Sequence, residues 1–255
     1  CVDYILEHAP NIKLIDVFEG AGNRDVTLVV AKKIIEEHRN LSLIYITDGH
    51  SPPVVAELVE KLNPSIKIAT FDAIPENIEL LKEGKFSLLI EQNSFAQAWN
   101  SLIHLYNACN SNWKPTTPKL FMPPIPITID NYRSYWDDAK NKRILQDEEK
   151  GQLAEVLDRR PKRAYKFALI MPLSTGFFEG LGRGAEAARQ HLKELGIEVT
   201  IVDAFNTWND FGSVSIFAPI IDSFIAQNYD GIATVVVDPN LTPAINKAIS
   251  KGLTV

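Results

Sequence analysis

The chain has 255 residues, of which 45% are hydrophobic and 23% charged, with 13 glycines and 15 prolines. This composition is typical of a globular protein and excludes a disordered, collagen-like or coiled-coil chain. The net charge of −6 disfavours nucleic-acid contact within this segment, because phosphate binding requires clustered lysine and arginine. No apolar run approaches the ~20 residues that a membrane helix needs, so no membrane insertion is expected.

The first part of the chain alternates apolar strands with helical periods, which predicts a parallel sheet. Pro52-Pro53 and Pro75 stand where helices are expected to open, since proline is tolerated in a first turn. In chain order the predicted elements are strand Ile12–Phe18, helix Arg24–His38, strand Leu41–Thr47, helix Pro53–Leu62, strand Ile66–Phe71, helix Pro75–Glu83, strand Phe86–Ile90 and helix Ser94–Asn110.

The regular pattern stops at residues 112–129, where repeated prolines permit only extended or edge-strand backbone. Residues 133–163 are polar and charged, which predicts a helical linker between folded bodies. The basic cluster Arg159–Arg163 is interpreted as solvated linker surface rather than a phosphate or DNA contact. The predicted organisation is therefore one portion at 1–132, the linker at 133–163 and a second portion at 164–255.

After the linker the alternation restarts, which predicts a second α/β unit. Its elements are strand Tyr165–Met171, helix Gly176–Leu195, strand Glu198–Asp203, helix Phe211–Gln227, strand Gly231–Asp238, helix Thr242–Ser250 and a short strand at Leu253–Val255. The expected fold class is α/β with doubly wound parallel sheets.

One glycine-rich segment, Gly180 to Ala185, meets the Gly-x-Gly-x-x-Gly/Ala pattern and has Asp203 about twenty residues further on. A dinucleotide site needs its first glycine in the turn directly after a strand, where backbone amides bind pyrophosphate. Residues 172–179 intervene here and shift the glycines into a helix. We therefore expect them to permit close helix packing, with a dinucleotide-dependent oxidoreductase as an outside alternative.

Other signs of catalysis are weak. The chain has no Gly-x-Ser-x-Gly elbow, and Cys109 lies within an amphipathic helix, where cysteine is usually a small core residue. With Cys1 at the chain terminus, no disulfide framework is expected. The histidines are scattered without metal-ligand spacing, and His50 is interpreted as an exposed loop residue. The sequence therefore predicts no catalytic residue, no metal and no cofactor.

Polar and aromatic residues recur where predicted parallel strands end, which is where ligands bind in open α/β sheets. Carboxylates and amides form several hydrogen bonds with a polyol, and aromatic rings cover the apolar face of a pyranose. Asp48 and Asp72 each precede a proline-started helix, so either has an alternative role as a helix cap. The predicted ligand-binding residues are Asp48, Asp72, Gln92, Phe177, Phe178 and Asn206.

Two parts of the chain resemble one family. Thr70–Gly84, followed by Leu88–Asn93 and a long helix, resembles the second half of type I periplasmic sugar-binding proteins and lac-repressor-type sensor domains. Residues 165–255 resemble the first half, through Pro172 to Phe178, Val202 to Asn206 and Tyr229 to Pro239.

The resemblance implies roles for the strand-end residues. Asp72 and Gln92 match family positions that hydrogen-bond sugar hydroxyls, while the position of Asp48 is commonly asparagine. Phe177 and Phe178 match an aromatic pair that packs against the sugar, and Asn206 matches a further polar contact. Thr175 replaces a frequent asparagine, and the loop that starts at Gly49 is longer than usual.

The order of the halves is reversed relative to the family. A window from a tandem duplication, a circular permutant and a domain-swapped assembly each explain it. Both chain ends look cut, which favours the tandem window, with parts of two binding units.

The expected function is non-catalytic binding of a small sugar in an interlobe cleft that closes by hinge motion. A tandem chain favours the sensing part of a lac-repressor-type regulator or a signalling protein, and the expected assemblies are a homodimer or a complex with a signalling or transport partner. The alternative is an extracytoplasmic receptor of a sugar ABC transporter. The compartment stays open, cytoplasmic for a regulator and periplasmic or extracellular for a receptor.

Overall fold

The structure is a computed structural model that describes residues 7–9, 11–20, 23–117, 119–172, 177–205, 214–236 and 238–255. Helices and strands alternate through most of it. In chain order they are α1 Arg24–Glu37, β1 Leu43–Tyr45, α2 Pro52–Leu62, β2 Lys67–Phe71, α3 Pro75–Lys82, β3 Leu88–Glu91, α4 Ser94–Ser111, β4 Ile125–Ile127, α5 Tyr132–Tyr135, β5 Trp136–Asp137, β6 Lys142–Arg143, α6 Asp147–Lys150, β7 Lys166–Met171, α7 Phe177–Lys193, β8 Glu198–Asp203, α8 Val214–Ala226, β9 Gly231–Thr234, a 3-10 turn Pro239–Leu241 and α9 Thr242–Ser250.

The first sheet has the order β1-β2-β3-β4. Its first three strands are parallel, and β4 pairs antiparallel with β3 through Leu89 and Ile127. Isoleucine, leucine and valine from α2, α3 and these strands form one hydrophobic core beneath the sheet. The carboxyl ends of β2 and β3 therefore open on the same edge, which is where the candidate site lies.

The strand predicted at Ile12–Phe18 is absent from the described residues, where 12–20 have no regular structure. Val17 and Phe18 are exposed there. The prediction was wrong because a strand requires a hydrogen-bonding neighbour, and in the described part of the chain β1 pairs only with β2.

The second sheet is parallel, with the order β8-β7-β9. A single parallel bridge between Gly231 and Thr254 extends β9 at the predicted position of the last strand. Apolar residues of α8, the 3-10 turn and α9 cover one face of this sheet in their own core. The predicted alternation of strands and helices is thus confirmed for this portion, apart from residues 206–213 and 237, which lie outside the described ranges.

Helix α4 follows β3 in the chain but shares a core with the second sheet. Leu102 and Tyr106 of α4 are fully buried together with Phe167 of β7 and Leu192 of α7. Contact with α7 is close because Gly184 has no side chain: a β-carbon there would lie 2.8 Å from the carbonyl carbon of Phe95. The expectation that these glycines permit close helix packing is confirmed.

Residues 133–163 are not the helix that their charge pattern predicts. They contain α5, the antiparallel hairpin β5–β6, the single turn α6 and an extended stretch. Tyr132 and Trp136 are buried in the core of the first sheet, which anchors the hairpin. The helical prediction was wrong because it assigned Trp136 to a solvated linker, whereas this side chain is buried in the core.

Asparagines seven residues apart on α4 bind the main chain of this extended stretch. Asn100 accepts from the Ala154 amide at 2.7 Å and donates to the Gln152 carbonyl at 3.0 Å. Asn107 accepts from the Leu157 amide at 3.0 Å and donates to the Glu155 carbonyl at 2.8 Å. These side-chain amides give the stretch the backbone partners that a helix or sheet would otherwise supply.

Two further asparagines extend the same pattern along α4. Asn93 donates to the Gln152 side chain at 2.9 Å, and Asn110 accepts from the Lys162 amide at 2.8 Å. The side chains of Arg159, Arg160 and Lys162 remain exposed, as the sequence predicts, although Asn110 binds the main chain of Arg160 and Lys162. We call Asn93, Asn100, Asn107 and Asn110 the asparagine ladder.

Candidate ligand-binding site

The candidate site is built around Asp72, the residue that directly follows β2. Its amide still donates to the Ile90 carbonyl of β3 at 3.0 Å, so the sheet fixes its position. Its φ of 67° lies in the left-handed region, which is uncommon outside glycine and costs free energy. Its side chain does not cap α3, whose first turn has no side-chain cap. The capping alternative for Asp72 is therefore wrong.

Gln92 follows the neighbouring strand β3, and its Nε2 donates to Asp72 Oδ1 at 2.9 Å. The sheet thus brings together two of the predicted residues at adjacent strand ends. Glu91, the last residue of β3, lies beside them and accepts from the Ala73 amide at 3.1 Å. Two carboxylates, of Asp72 and Glu91, and the amide of Gln92 therefore lie together at the carboxyl ends of β2 and β3.

Burial controls the protonation of Asp72, which is only 5% exposed. Loss of hydration raises the pKa of its carboxyl to about 7; the hydrogen bond from Gln92 opposes this, and the Glu91 and Asp48 carboxylates act in the same direction as burial. A carboxyl with this pKa changes its charge near neutral pH. The ionised carboxylate only accepts hydrogen bonds, whereas the protonated carboxyl also donates one.

The loop after β1 packs tightly against Asp72. A β-carbon at Gly49 would lie 2.7 Å from Asp72 Cβ, so only glycine fits there. Asn77 of α3 holds both segments by donating to the Gly49 carbonyl at 3.0 Å and to the Asp72 carbonyl at 3.1 Å. Asn77 therefore fixes the main chain of Asp72, and Gly49 packs against its side chain.

Asp48 has a different role from Asp72. Its Oδ1 accepts from the amides of His50 at 2.8 Å and Ser51 at 2.6 Å, at the entrance to α2. These bonds close a turn before α2, whose N-cap is Ser51 and which has no side-chain cap hydrogen bond, so the helix-cap alternative is wrong for this carboxylate too. Its contact with a ligand stays a prediction. His50 is half-buried rather than exposed, and desolvation, then the Arg24 charge, lowers its pKa.

A cavity adjoins Asp72 and Glu91, and the second portion of the chain closes its far side. Gly180 and Arg183 of α7 line it there, and the hairpin β5–β6 lines a third side. The space open to the centre of a water molecule is about 30 Å³, room for about two waters. A sugar therefore requires the walls to separate.

Arg143 of β6 is the charged hairpin residue at this cavity. Its guanidinium forms an ion pair with Glu149 at 2.7 Å, and its Nε lies 3.8 Å from Glu91 Oε2. Both acidic partners are buried. The hairpin thus places a buried cation beside the carboxylates of the strand ends.

Of the remaining predicted ligand contacts, Phe178 has a described side chain, and it does not line this cavity. Phe178 is 7% exposed and packs in the core between α4 and the second sheet, so its burial gives no support to the predicted sugar contact. The side chain of Phe177 and the whole of Asn206 lie outside the described residues. Their roles stay predictions.

Sequence reasoning missed Glu91, Trp136 and Arg143. Glu91 reads as the end of an apolar strand, and only its position before Gln92 hints at the site. Trp136 and Arg143 stand in a segment interpreted as linker, although a tryptophan is rarely left on a solvated surface. Gly49 was noted only for the length of its loop.

The dinucleotide alternative receives no support from this geometry. Gly180 and Gly184 lie within α7 rather than in a turn after β7, and α4 fills the space above them. Pyrophosphate therefore has no access to their amides.

Cys109 packs against the core as predicted, and burial raises the pKa of its thiol. Within the described ranges, no group of three or more His, Cys, Asp or Glu residues is placed to hold a metal.

Comparison with known proteins locates a family domain in the second portion. Residues 167–255 match the family described as periplasmic binding protein domain. No curated protein sequence matches the chain. No helix in the described part of the chain has the length and apolarity to cross a membrane.

Solved structures with a similar fold include an ABC transporter periplasmic solute binding protein from Actinobacillus succinogenes with bound D-allose. That match has 12% identity and a TM-score of 0.57, and it covers 98% of this chain and 66% of that one. An arabinose binding protein, AraP, from Geobacillus stearothermophilus matches at 20% identity and TM-score 0.44, over 53% of this chain and 50% of that one. A Bacteroides fragilis protein described as a LacI-type transcriptional regulator matches at 21% identity and TM-score 0.43, over 52% and 46%.

The chain spans about half the length of the first solved structures that it matches. The match over 98% of the chain shows the fold of both portions. Residues 167–255 match the periplasmic binding protein domain, and the chain has the mixed α/β fold of the type I periplasmic sugar-binding proteins.

Proposed function

We propose that this chain binds a small neutral sugar, a pentose or hexose, without transforming it. The observation that carries the proposal is the hydrogen-bonded pair of Asp72 and Gln92 at adjacent strand ends, beside a cavity lined by both portions of the chain. The carboxylate supplies acceptors and the amide supplies both donors and acceptors, which is what vicinal hydroxyls require. The binding step is closure of the two portions around the sugar.

The fold supports a role in ligand recognition. We propose the sensing part of a lac-repressor-type regulator or signalling protein, because a chain with the predicted parts of two tandem binding units suits a sensor. The second candidate is the extracytoplasmic receptor of a sugar ABC transporter; the solved structure that matches 98% of the chain is described as an ABC transporter periplasmic solute binding protein with bound D-allose. The encoded sequence before Cys1 separates them, since a helix-turn-helix favours the regulator and a signal peptide favours the receptor.

Calorimetric titration of the 255-residue chain with D-ribose, L-arabinose, D-xylose, D-glucose, D-galactose and D-allose tests the binding itself. We expect at least one sugar to bind, and Asp72→Ala to weaken binding by more than about 1 kcal/mol, the usual range for a lost buried hydrogen bond. Asp72→Asn provides the same test with the shape of the side chain retained.

Asp130→Ala is the matched control, because Asp130 is exposed and remote from the cavity lining. Its affinity is expected to equal that of the unmodified chain. Absence of heat with all six sugars would remove the proposed function. Sugar binding of equal strength in both Asp72 variants would remove Asp72 from the site.

A further inference from the structure

The cavity beside Asp72 contains two buried donors that lack an acceptor. Trp136 Nε1 and Arg143 Nε have no hydrogen-bond partner among the residues that the structure describes. Both residues line the cavity, and both belong to the hairpin β5–β6. Trp136 is 4% exposed and the Arg143 side chain 7%, so bulk water does not solvate them freely.

An unpaired buried donor is costly, at the full penalty of its lost hydration, and folded proteins therefore rarely keep one. The two donors here occupy one cavity wall, while the carboxylates of Asp72 and Glu91 occupy another. Donors and acceptors thus face one small space from different elements of the fold. This is the arrangement that a ligand with several hydroxyl groups satisfies, because each hydroxyl both donates and accepts.

The rest of the Arg143 side chain is already occupied, which restricts its free group to Nε. One terminal nitrogen pairs with Glu149 at 2.7 Å, and the other donates to the carbonyls of Tyr135, at 3.2 Å, and of Ile144. The guanidinium also lies over the Tyr135 ring, 5.0 Å from its centroid. The hairpin therefore holds Arg143 in place without using the Nε donor.

We propose that the hairpin β5–β6 is part of the ligand site, with Trp136 Nε1 and Arg143 Nε donating to ligand oxygens while ligand hydroxyls donate to Asp72 and Glu91. This inference rests on the proposed function and names its ligand class, a neutral polyol. A carboxylated sugar is disfavoured because Asp72 and Glu91 repel a third carboxylate, and the charge of Arg143 is balanced by Glu149. The segment between the two portions is then a binding element rather than a spacer.

The test uses the full chain and the sugar of the six-member panel that it binds most tightly. Trp136→Phe keeps an aromatic ring and removes the donor, and Arg143→Lys keeps the charge that Glu149 requires and removes Nε. We expect each variant to bind that sugar at least five-fold more weakly. Trp113→Phe is the control, because Trp113 stacks on His104 away from this cavity, and its affinity is expected not to change.

A spectroscopic readout separates ligand contact from a structural role. The chain has four tryptophans, and the Trp136 indole N–H resonance is assigned by its loss in Trp136→Phe. Saturation with the sugar is expected to move this resonance downfield, as the donor gains an acceptor, and to leave the Trp113 resonance in place.

If the unmodified chain binds a sugar while Trp136→Phe binds it equally and the indole resonance is unmoved, the hairpin is not part of the site, and the proposed function stands. If the unmodified chain binds none of the sugars, both proposals fall.

Discussion

Gly184 of α7 packs directly against the main chain of Phe95 in α4. A β-carbon at Gly184 would lie 2.8 Å from the Phe95 carbonyl carbon and 3.0 Å from its Cα, and a main chain cannot move aside as a flexible side chain does. We therefore expect Gly184→Ala to lower the free energy of unfolding by about 1–3 kcal/mol, the usual cost of overpacking. Chemical denaturation followed by circular dichroism measures it.

Gly151→Ala is the matched control, since a β-carbon there would meet its nearest atom at 3.4 Å, an ordinary contact. Its unfolding free energy is expected to stay within about 0.5 kcal/mol of the unmodified chain. A stabilised Gly184→Ala variant would mean that the gain in helix propensity, about 1 kcal/mol, exceeds the packing cost and that the two helices are not in tight contact.

The asparagine ladder gives a second prediction, at Asn107. Asn107→Ala removes the partners of the Leu157 amide and the Glu155 carbonyl. We expect a loss of about 1–3 kcal/mol in unfolding free energy, because backbone groups at a partly buried position lose their partners. Asn246→Ala on the exposed face of α9 is the control. Faster amide hydrogen exchange at residues 153–158 in Asn107→Ala, relative to the control, would locate the effect, and unchanged exchange would contradict it.

The raised pKa of Asp72 predicts a pH-dependent stability. Because its pKa is about 7 in the folded state and about 4 when unfolded, the folded chain holds the proton more tightly. The tighter binding of this proton stabilises the folded state. Its contribution to the free energy of unfolding is fully present below about pH 4 and is lost as the pH rises to about 7, by at most about 1.4 kcal/mol per pH unit. Asp72→Asn stays neutral and should therefore become more stable than the unmodified chain towards pH 8.

Thermal or urea unfolding at intervals from pH 4 to pH 8 measures this difference. Asn is also compatible with the φ of 67° at this position, so the backbone need not change. Asp130→Asn, at an exposed site, should follow the unmodified chain throughout. Parallel curves for Asp72→Asn and the unmodified chain would show that the Asp72 carboxyl titrates normally.

Local patterns predict much of this fold. The apolar run of β7 and the amphipathic period of α7 follow from spacing alone, and the placement of Gly184 within a helix follows from its distance to the preceding strand. The same logic found Asp72 and Gln92, because the ends of neighbouring parallel strands meet at one edge of a sheet. These features depend on residues close in sequence.

The parts of the fold and of the candidate site that were not predicted depend on contacts between residues far apart in the chain, which a single sequence does not display. Residues 12–18 have a strand pattern, yet a strand forms only where a neighbouring strand offers partners. The extended stretch after α6 depends on the asparagine ladder some fifty residues earlier, and Arg143 is buried only because Glu149 and Glu91 lie beside it. From their polar composition, the sequence analysis predicted that the extended stretch and the hairpin with Arg143 would be exposed to solvent. Asparagines at a seven-residue spacing on a helix were the available signal.

Sugar affinity is expected to rise with pH, because Asp72, the carboxyl that titrates in the empty site, is the group that we propose binds the ligand. The ionised form of Asp72 accepts hydrogen bonds from two hydroxyls, whereas the protonated form offers fewer acceptors, so the sugar binds the ionised form more tightly. With a pKa of about 7 in the empty site, affinity should increase by up to about ten-fold per pH unit below pH 7 and level off above it. Calorimetry from pH 5.5 to pH 8.5 measures the profile.

Asp72→Asn should bind more weakly with a flat profile, which separates Asp72 from His50 and the other titrating groups near the cavity. An affinity that falls with pH in the unmodified chain would mean that the protonated carboxyl donates to the ligand, and the assignment of Asp72 as an acceptor would then be wrong.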